Sequence, residues 1–153
     1  MIQRKQTLFL LFSIILMVGY IFSPLVKILG GGQSFYTYSY SFPLSVNINF
    51  PIIGHYFVFP CLVSACIAIG INLLTIFLFK FRRLQIFFCW LSILPLLFAF
   101  CYAYYKWSVS DSTLDQYFYF GNITPLVAVV LVFLAMFYIR KDEELVKSVD
   151  RLR

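Results

Sequence analysis

The chain has 153 residues, of which 62% are hydrophobic and 12% are charged, and its formal net charge at pH 7 is +6. A soluble domain usually carries about 25% charged residues, so this composition excludes an ordinary soluble protein. Because little sequence remains outside long apolar runs, we expect a single integral membrane domain over residues 1–153.

Four apolar runs dominate the chain, and none of them contains Asp, Glu, Lys, Arg or His. They occupy residues 7–26, 56–79, 84–105 and 122–139. Each is long enough to cross a hydrocarbon core of about 30 Å as a helix, the state in which the backbone satisfies its own hydrogen bonds. Ionisable groups inside the membrane usually mark ion paths, proton relays and voltage sensors. The four runs therefore give no indication of a pump or a channel.

The placement of the basic residues predicts the orientation of the chain. An even number of spans puts both termini on one side, together with the turn between the second and third spans. That side carries most of the basic residues, namely Arg4, Lys5, Lys80, Arg82, Arg83, Arg140, Lys141, Lys147, Arg151 and Arg153. Lys27 and Lys106 fall in the two other loops, residues 27–55 and 106–121. Since cytoplasmic segments carry the excess of Lys and Arg, both termini are predicted to be cytoplasmic. The positive charge then sets topology and contacts membrane lipids, and no nucleic-acid partner is expected.

The first outer loop, residues 27–55, contains two stretches in which apolar and polar residues alternate, 35–42 and 44–50. A period of two in aromatic and β-branched residues is typical of half-buried strands, and Pro43 between the stretches indicates a bend. We therefore expect an all-α four-helix bundle with a small extracytoplasmic β-hairpin or sheet in this loop. A weaker alternation at 114–120 leaves open whether the second outer loop joins the sheet. The alternative is an irregular loop whose aromatic side chains lie at headgroup level.

Small and polar residues form a seam along the second span, and its members are Cys61, Ala65, Ala68, Asn72 and Thr75. Spacings of three and four place them on one helix face, where small residues let membrane helices approach closely. Asn72 is expected to hydrogen-bond across this contact, with a ligand contact as the alternative. The cysteines are expected to be small packing residues, and a disulfide between Cys61 and Cys101 is left open because both lie at similar predicted depth.

The tail, residues 140–153, predicts a short cytoplasmic amphipathic helix that continues from the fourth span or bends off it. Acidic residues come early and basic residues late, an order that complements the helix dipole. Its apolar residues fall on one stripe, Leu145, Val146, Val149 and Leu152. Such a stripe needs a covering surface, which is the bilayer interface, the chain's own turn at Phe81, or a separate partner.

No sequence motif for catalysis, nucleotide binding or metal binding occurs in the chain. The single histidine, His55, lies at the start of the second span without a second ligand or a partner acid nearby in sequence. The cysteines form no Cys-x-x-Cys pair. We therefore expect neither enzymatic activity nor a bound cofactor or metal ion.

Three segments together resemble a known family. They read MIQRKQTL at residues 1–8, FLFKFRRLQI at 77–86 and RKDEELVKSVDRLR at 140–153. The combination is similar to the family catalogued as domain of unknown function 4293, small four-span inner-membrane proteins of the Bacteroidota. The resemblance implies a bacterial cytoplasmic membrane, with the recognisable segments on its cytoplasmic side, and it implies no established activity. Such bacteria O-glycosylate exported proteins at three-residue acceptors, and Asp111-Ser112-Thr113 looks like one of these, which makes Ser112 a candidate site.

The sequence leads to two functional hypotheses. The first is a structural or accessory membrane subunit that binds a protein partner through its cytoplasmic turn and tail. The residues expected to contact that partner are Lys80, Arg82, Arg83, Gln85, Leu145, Val149, Arg151, Leu152 and Arg153. The alternative is a binding protein or carrier for an apolar ligand such as a lipid or a quinone, held in the bundle interior near Asn72.

Overall fold

The computed structural model describes residues 3–30, 33–38, 55–79, 81–109, 115–118 and 120–151. The long helices in this part of the chain are α1 (Gln3–Phe22), α2 (His55–Phe77), α3 (Arg82–Val109) and α4 (Thr124–Arg151). The strands are β1 (Pro24–Gly30), β2 (Gln33–Tyr38) and β3 (Asp115–Phe118), and a 3-10 helix at Phe120–Ile123 leads into α4. Each of the four long helices is, by length and composition, able to cross a membrane. The four apolar helices predicted from the sequence are therefore confirmed.

The helices pack in a ring. Helix α1 contacts α2 and α4, and α3 contacts the same two helices from the other side. This arrangement is an up-and-down four-helix bundle. The turn between α2 and α3 is short, and the Phe81 N–H donates to the Leu78 carbonyl at 3.0 Å. That turn, the start of α1 and the end of α4 lie together at one end of the bundle, called the terminal end below.

Small side chains occur throughout the interior of the bundle, beside larger ones such as Leu10, Met17 and Tyr20. The small residues among the buried apolar ones are Cys61, Ala65, Ala68, Cys89, Ala99, Ala103, Ala128 and Ala135. Bulky apolar side chains lie on the outside instead, and Phe77 and Leu94 are 74% and 66% exposed. Small groups inside and large apolar groups outside are typical of helices that pack closely against each other in lipid.

The strands form one antiparallel sheet with the order β2-β1-β3. In β1, Gly30 lies opposite Gln33 of β2, and Leu29 lies opposite Asp115 of β3. The segment between α3 and α4 therefore contributes the third strand, which the sequence pattern had left open.

The predicted fold class is wrong in its β-hairpin. The alternating patterns assign the two hairpin strands to residues 35–42 and 44–50, whereas β2 pairs with Pro24–Gly30. Residues 44–50 lie outside the described part of the chain. Proline cannot continue the hydrogen bonding of α1, and the apolar, partly β-branched residues that follow Pro24 favour a strand. In the sequence these apolar residues look like the end of a membrane span, so the pattern does not predict the first strand.

The described part of the tail continues from the fourth span and does not bend off it as a separate helix. Helix α4 continues without interruption through residues 140–151. Beyond Pro125 its sequence contains no Gly or Pro, and its last three turns consist mainly of good helix formers. Nothing therefore ends the helix where the apolar run ends.

Candidate functional site

The polar contacts of the terminal end converge on Asp142 of α4. Gln6 Nε2 donates to the Asp142 carboxylate and, at 3.4 Å, to the main-chain carbonyl of Tyr138. Arg82 Nη1 donates to the main-chain carbonyl of Asp142 at 2.8 Å. A single residue near the end of α4 is thus hydrogen-bonded to the beginnings of both α1 and α3.

Helical periodicity explains why Gln6 and Asp142 face each other. Gln6 lies four residues before Leu10, and Asp142 lies three residues after Ile139. Both apolar residues are completely buried, so the polar residues continue the buried face of their helices into the terminal end. Gln6 and Asp142 are each only 6% exposed.

The Asp142 carboxylate is incompletely hydrogen-bonded. Oδ2 accepts from Gln6, but Oδ1 is buried and has no hydrogen-bond partner within the described part of the chain. A buried acceptor that lacks a donor costs about 1–3 kcal/mol of stability. The junction of α1, α3 and α4 therefore encloses one carboxylate oxygen that receives no hydrogen bond from the described residues.

A second polar contact holds the turn between α2 and α3. Gln85 is 4% exposed, and its Nε2 donates to the main-chain carbonyl of Thr75 at 3.3 Å. This contact uses Gln85 inside the bundle, although the sequence pattern assigns it to a partner surface. Arg83, two residues earlier, is exposed.

The other residues expected to contact a partner differ in exposure, and some of them lie outside the described part of the chain. Arg82 is half-buried, and Leu145 is 46% exposed. Val149 and Arg151 lie in α4. Four predicted site residues fall outside the described part of the chain, Lys80, Ser112, Leu152 and Arg153.

The predicted packing seam of α2 lies on the buried face of that helix. Its members are all 0% exposed, namely Cys61, Ala65, Ala68, Asn72 and Thr75. Asn72 Nδ2 donates to Ser13 Oγ of α1 at 3.1 Å, and Thr75 Oγ1 donates to the Ile71 carbonyl at 2.8 Å. Asn72 therefore makes a polar contact between α1 and α2. The sequence pattern indicates Asn72 as one member of this contact but not its partner on α1.

The hydrogen-bonding residues of α1, Gln6 and Ser13, are not among those that the sequence patterns identify. Their signal is a spacing of three and four residues that runs through the buried positions Gln6, Leu10, Ser13, Met17 and Tyr20. Gln6 and Ser13 lie in phase with the buried apolar residues of this helix, which indicates contacts with other helices. The charge order of the tail identifies Asp142 only as an early acid that complements the helix dipole, and it does not indicate that this residue is buried.

The chemistry available at these sites is hydrogen bonding and charge. Among the described residues, no group of three or more His, Cys, Asp and Glu side chains is placed to hold a metal ion. The cysteines are free thiols, with Cys61 and Cys89 buried and Cys66 and Cys101 exposed. A disulfide between Cys61 and Cys101 is therefore absent from this structure.

The sequence was compared with protein families, with curated proteins and with solved structures. The profile of a family described as a domain of unknown function, DUF4293, matches residues 2–152. The searches of curated proteins and of solved structures gave no match. Because the family profile covers nearly the whole chain, this protein belongs to the DUF4293 family.

Proposed function

We propose that this protein is an accessory subunit of a bacterial inner-membrane assembly and binds a protein partner at its terminal end. The main support is the meeting of Gln6, Arg82 and Asp142 in one hydrogen-bonded cluster. Each of them comes from a different one of the three segments that carry the family resemblance. This cluster holds the three segments together at the terminal end, where exposed residues around it, such as Lys5, Arg83 and Leu145, form one composite surface that a partner is able to contact.

The end of α4 is the part of this surface best suited to docking. The helix continues nine residues past Asp142, which is about 13 Å at the rise of an α-helix. Leu145 and Val146 are 46% and 45% exposed there, and Phe81 in the turn is 57% exposed. Exposures this large favour a separate protein over the chain's own turn as the surface that covers the apolar stripe.

The charge of the tail also favours a protein partner. Beyond Asp142 it carries Glu143, Glu144 and Asp150 as well as Lys147, Arg151 and Arg153. An amphipathic helix that lies on a membrane usually has a polar face rich in Lys and Arg. Nearly balanced charge gives an anionic bilayer little to attract, whereas a protein surface is able to match both signs.

Both termini are assigned to the cytoplasm, because ten of the twelve Lys and Arg residues lie on their side of the predicted spans. The partner is therefore a cytoplasmic protein or the cytoplasmic face of another membrane protein. The interior of the bundle is assigned to helix packing, because Asn72 is fully buried and hydrogen-bonded to Ser13.

A photo-crosslinking experiment tests this proposal. A photoreactive amino acid is placed at Leu145 in the full chain, and a matched variant carries it at Phe137, which is 62% exposed on the apolar part of the same helix. We expect a protein adduct of one defined mass at position 145 and none of that mass at position 137. Truncation after Glu144 keeps Asp142 and its contacts, and it should abolish co-purification of the same protein. An adduct-free position 145, or unchanged co-purification after truncation, would contradict the proposal.

A further inference from the structure

Two lysines lie on the outer surface of the contact between α1 and α4. Gln6 donates to the Asp142 carboxylate and to the Tyr138 carbonyl, which brings the start of α1 beside the end of α4. Lys5 and Lys141 come directly before Gln6 and Asp142 in the sequence, and both lysines are exposed. In antiparallel helices the residues that precede a facing pair turn to the same side of the contact, because each helix rotates by about 100° per residue. Both lysines, called the lysine pair below, therefore lie on one side of this contact.

A stacked aromatic pair lies on the same side of the contact, farther from the terminal end. The ring centroids of Phe9 and Tyr138 are 5.5 Å apart, and the angle between the ring planes is 13°. Phe9 follows Lys5 by four residues and Tyr138 precedes Lys141 by three, so each ring shares a helix face with its lysine. At the rise of an α-helix the rings are about 5 Å deeper in the bundle than the lysine pair. The groove between α1 and α4 thus has two cations at its end and an aromatic surface below them.

The fold places little negative charge beside the lysine pair. The first turn of α1 contains no acidic residue. On α4, the Asp142 carboxylate accepts from Gln6 and is buried inside the bundle. Glu143 and Glu144 follow it toward the free end of the helix. Two like charges held on facing helices repel each other, and an anion between them replaces this repulsion by two attractions. The charge of the groove is therefore complementary to an anionic ligand.

The depth of the groove indicates the source of the anion. The apolar stretch by which α1 is able to cross a membrane begins at Lys5, and the corresponding stretch of α4 ends at Val146, five residues after Lys141. Aromatic residues just inside basic ones at the end of a span are typical of the headgroup layer. Basic pockets between spans on the cytoplasmic side are sites for anionic phospholipid headgroups. The ligand that fits this groove is therefore a lipid of the surrounding bilayer.

We propose that the outer groove between α1 and α4 binds an anionic phospholipid, with its phosphate between Lys5 and Lys141. The two ammonium groups donate hydrogen bonds to the phosphate oxygens, and the first carbons of an acyl chain lie along Phe9 and Tyr138. Both lysines are exposed and both rings are half-buried, so the lipid reaches the groove from the bilayer without a rearrangement of the bundle. This site does not depend on the protein partner proposed above.

The chemistry of related headgroups makes the proposal testable. A glycerol headgroup leaves the phosphate with its full negative charge. A choline headgroup has the same phosphate, but its quaternary ammonium offsets that charge and is repelled by the lysine pair. Inorganic phosphate represents the anion without a lipid.

The first experiment follows thermal unfolding of the full, delipidated chain in mild detergent while one short-chain phospholipid is titrated. We expect the glycerol lipid to raise the unfolding temperature with an apparent affinity about tenfold higher than that of the choline lipid, which is the effect of one hydrogen bond to a charged group. Equal responses to the two lipids would overturn the selection of an anionic headgroup. A response to inorganic phosphate equal to that of the glycerol lipid would overturn the lipid assignment.

Two variants test the lysine pair. Lys5→Gln and Lys141→Gln change exposed side chains, so the fold is kept, and each should weaken the apparent affinity for the glycerol lipid about tenfold. The double variant should lose the preference for the glycerol lipid over the choline lipid. An unaltered response of both single variants would overturn the phosphate contact.

Arg140→Gln is the matched control, because Arg140 is an exposed base directly before Lys141 but lies about 100° away around α4. It should leave the response to the glycerol lipid unchanged. A loss equal to that of Lys141→Gln would show attraction by surface charge in general and would overturn the site. Truncation after Glu144 should abolish binding of the protein partner and leave the lipid response intact, which separates the two proposals. A lipid response lost on truncation would contradict a site formed by Lys5 and Lys141.

Discussion

Gln6 and Asp142 are hydrogen-bonded to each other although 136 positions separate them in the chain. Gln6 Nε2 donates to the carboxylate, and both side chains are almost completely buried at the terminal end of the bundle. The contact joins the first turns of α1 to the last turns of α4. It also orients the residue whose main-chain carbonyl accepts the hydrogen bond from Arg82.

Removal of one member of this pair should destabilise the bundle. Gln6→Leu leaves the buried carboxylate without its donor, and we expect a loss of about 1–3 kcal/mol in the free energy of unfolding. Denaturant unfolding in detergent measures this loss.

The double variant with Asp142→Leu should lose less free energy of unfolding than the sum of the two single variants, because the partners interact directly. Glu144→Gln, an exposed change two residues away, is the control and should be within about 0.5 kcal/mol of the unmodified protein. Additive losses would show that the two side chains do not interact in solution.

The contact between Asn72 and Ser13 should contribute to the packing of α1 on α2. Asn72→Leu removes the hydrogen bond of 3.1 Å, and we expect a loss of about 0.5–2 kcal/mol, the range of polar contacts between membrane helices. Ser13→Ala should cost a similar amount, and the double variant little more than either. The unfolding midpoint in detergent is the measurement, with Leu73→Ala on the exposed side of α2 as the control. An unchanged midpoint for Asn72→Leu would contradict a packing role.

The four thiols should differ in reactivity according to burial. Cys66 and Cys101 are exposed on the outer surface of the bundle, whereas Cys61 and Cys89 are buried. A membrane-permeant maleimide should therefore modify the first two in the folded protein in detergent, and all four only after unfolding. Mass spectrometry of the modified peptides measures the order in which the four cysteines react. Early modification of Cys61 would indicate that the interior around it is open.

Topology is tested by labelling of single cysteines in a chain whose native cysteines are replaced. The excess of basic residues at the terminal end predicts that positions 83 and 148 are protected from an impermeant reagent in intact cells. Position 39, between α1 and α2, should be labelled. The reverse pattern would place both termini outside the cytoplasm and would contradict the proposed cytoplasmic partner.

Much of the bundle follows from the sequence alone. The length of the four apolar runs requires helices, because a segment in lipid must satisfy its backbone hydrogen bonds within itself. The spacing of the small residues identifies the buried face of α2, where Ala65, Ala68 and Asn72 are 0% exposed. These features are local, since a helix of 3.6 residues per turn determines which residues share a face.

The sheet and the polar cluster depended on tertiary structure. Local pattern could not show that Pro24–Gly30 leaves the first span and pairs with Gln33–Tyr38, because apolar residues suit both a strand and a membrane helix. It also could not show that Asp142 is buried. An acid near the end of a helix is usually solvated, and only the packing of α1 and α3 around α4 puts Gln6 and Arg82 within hydrogen-bonding distance of it. Periodicity determines the face on which a residue lies, whereas the partner on the opposite helix is decided by how the helices come together.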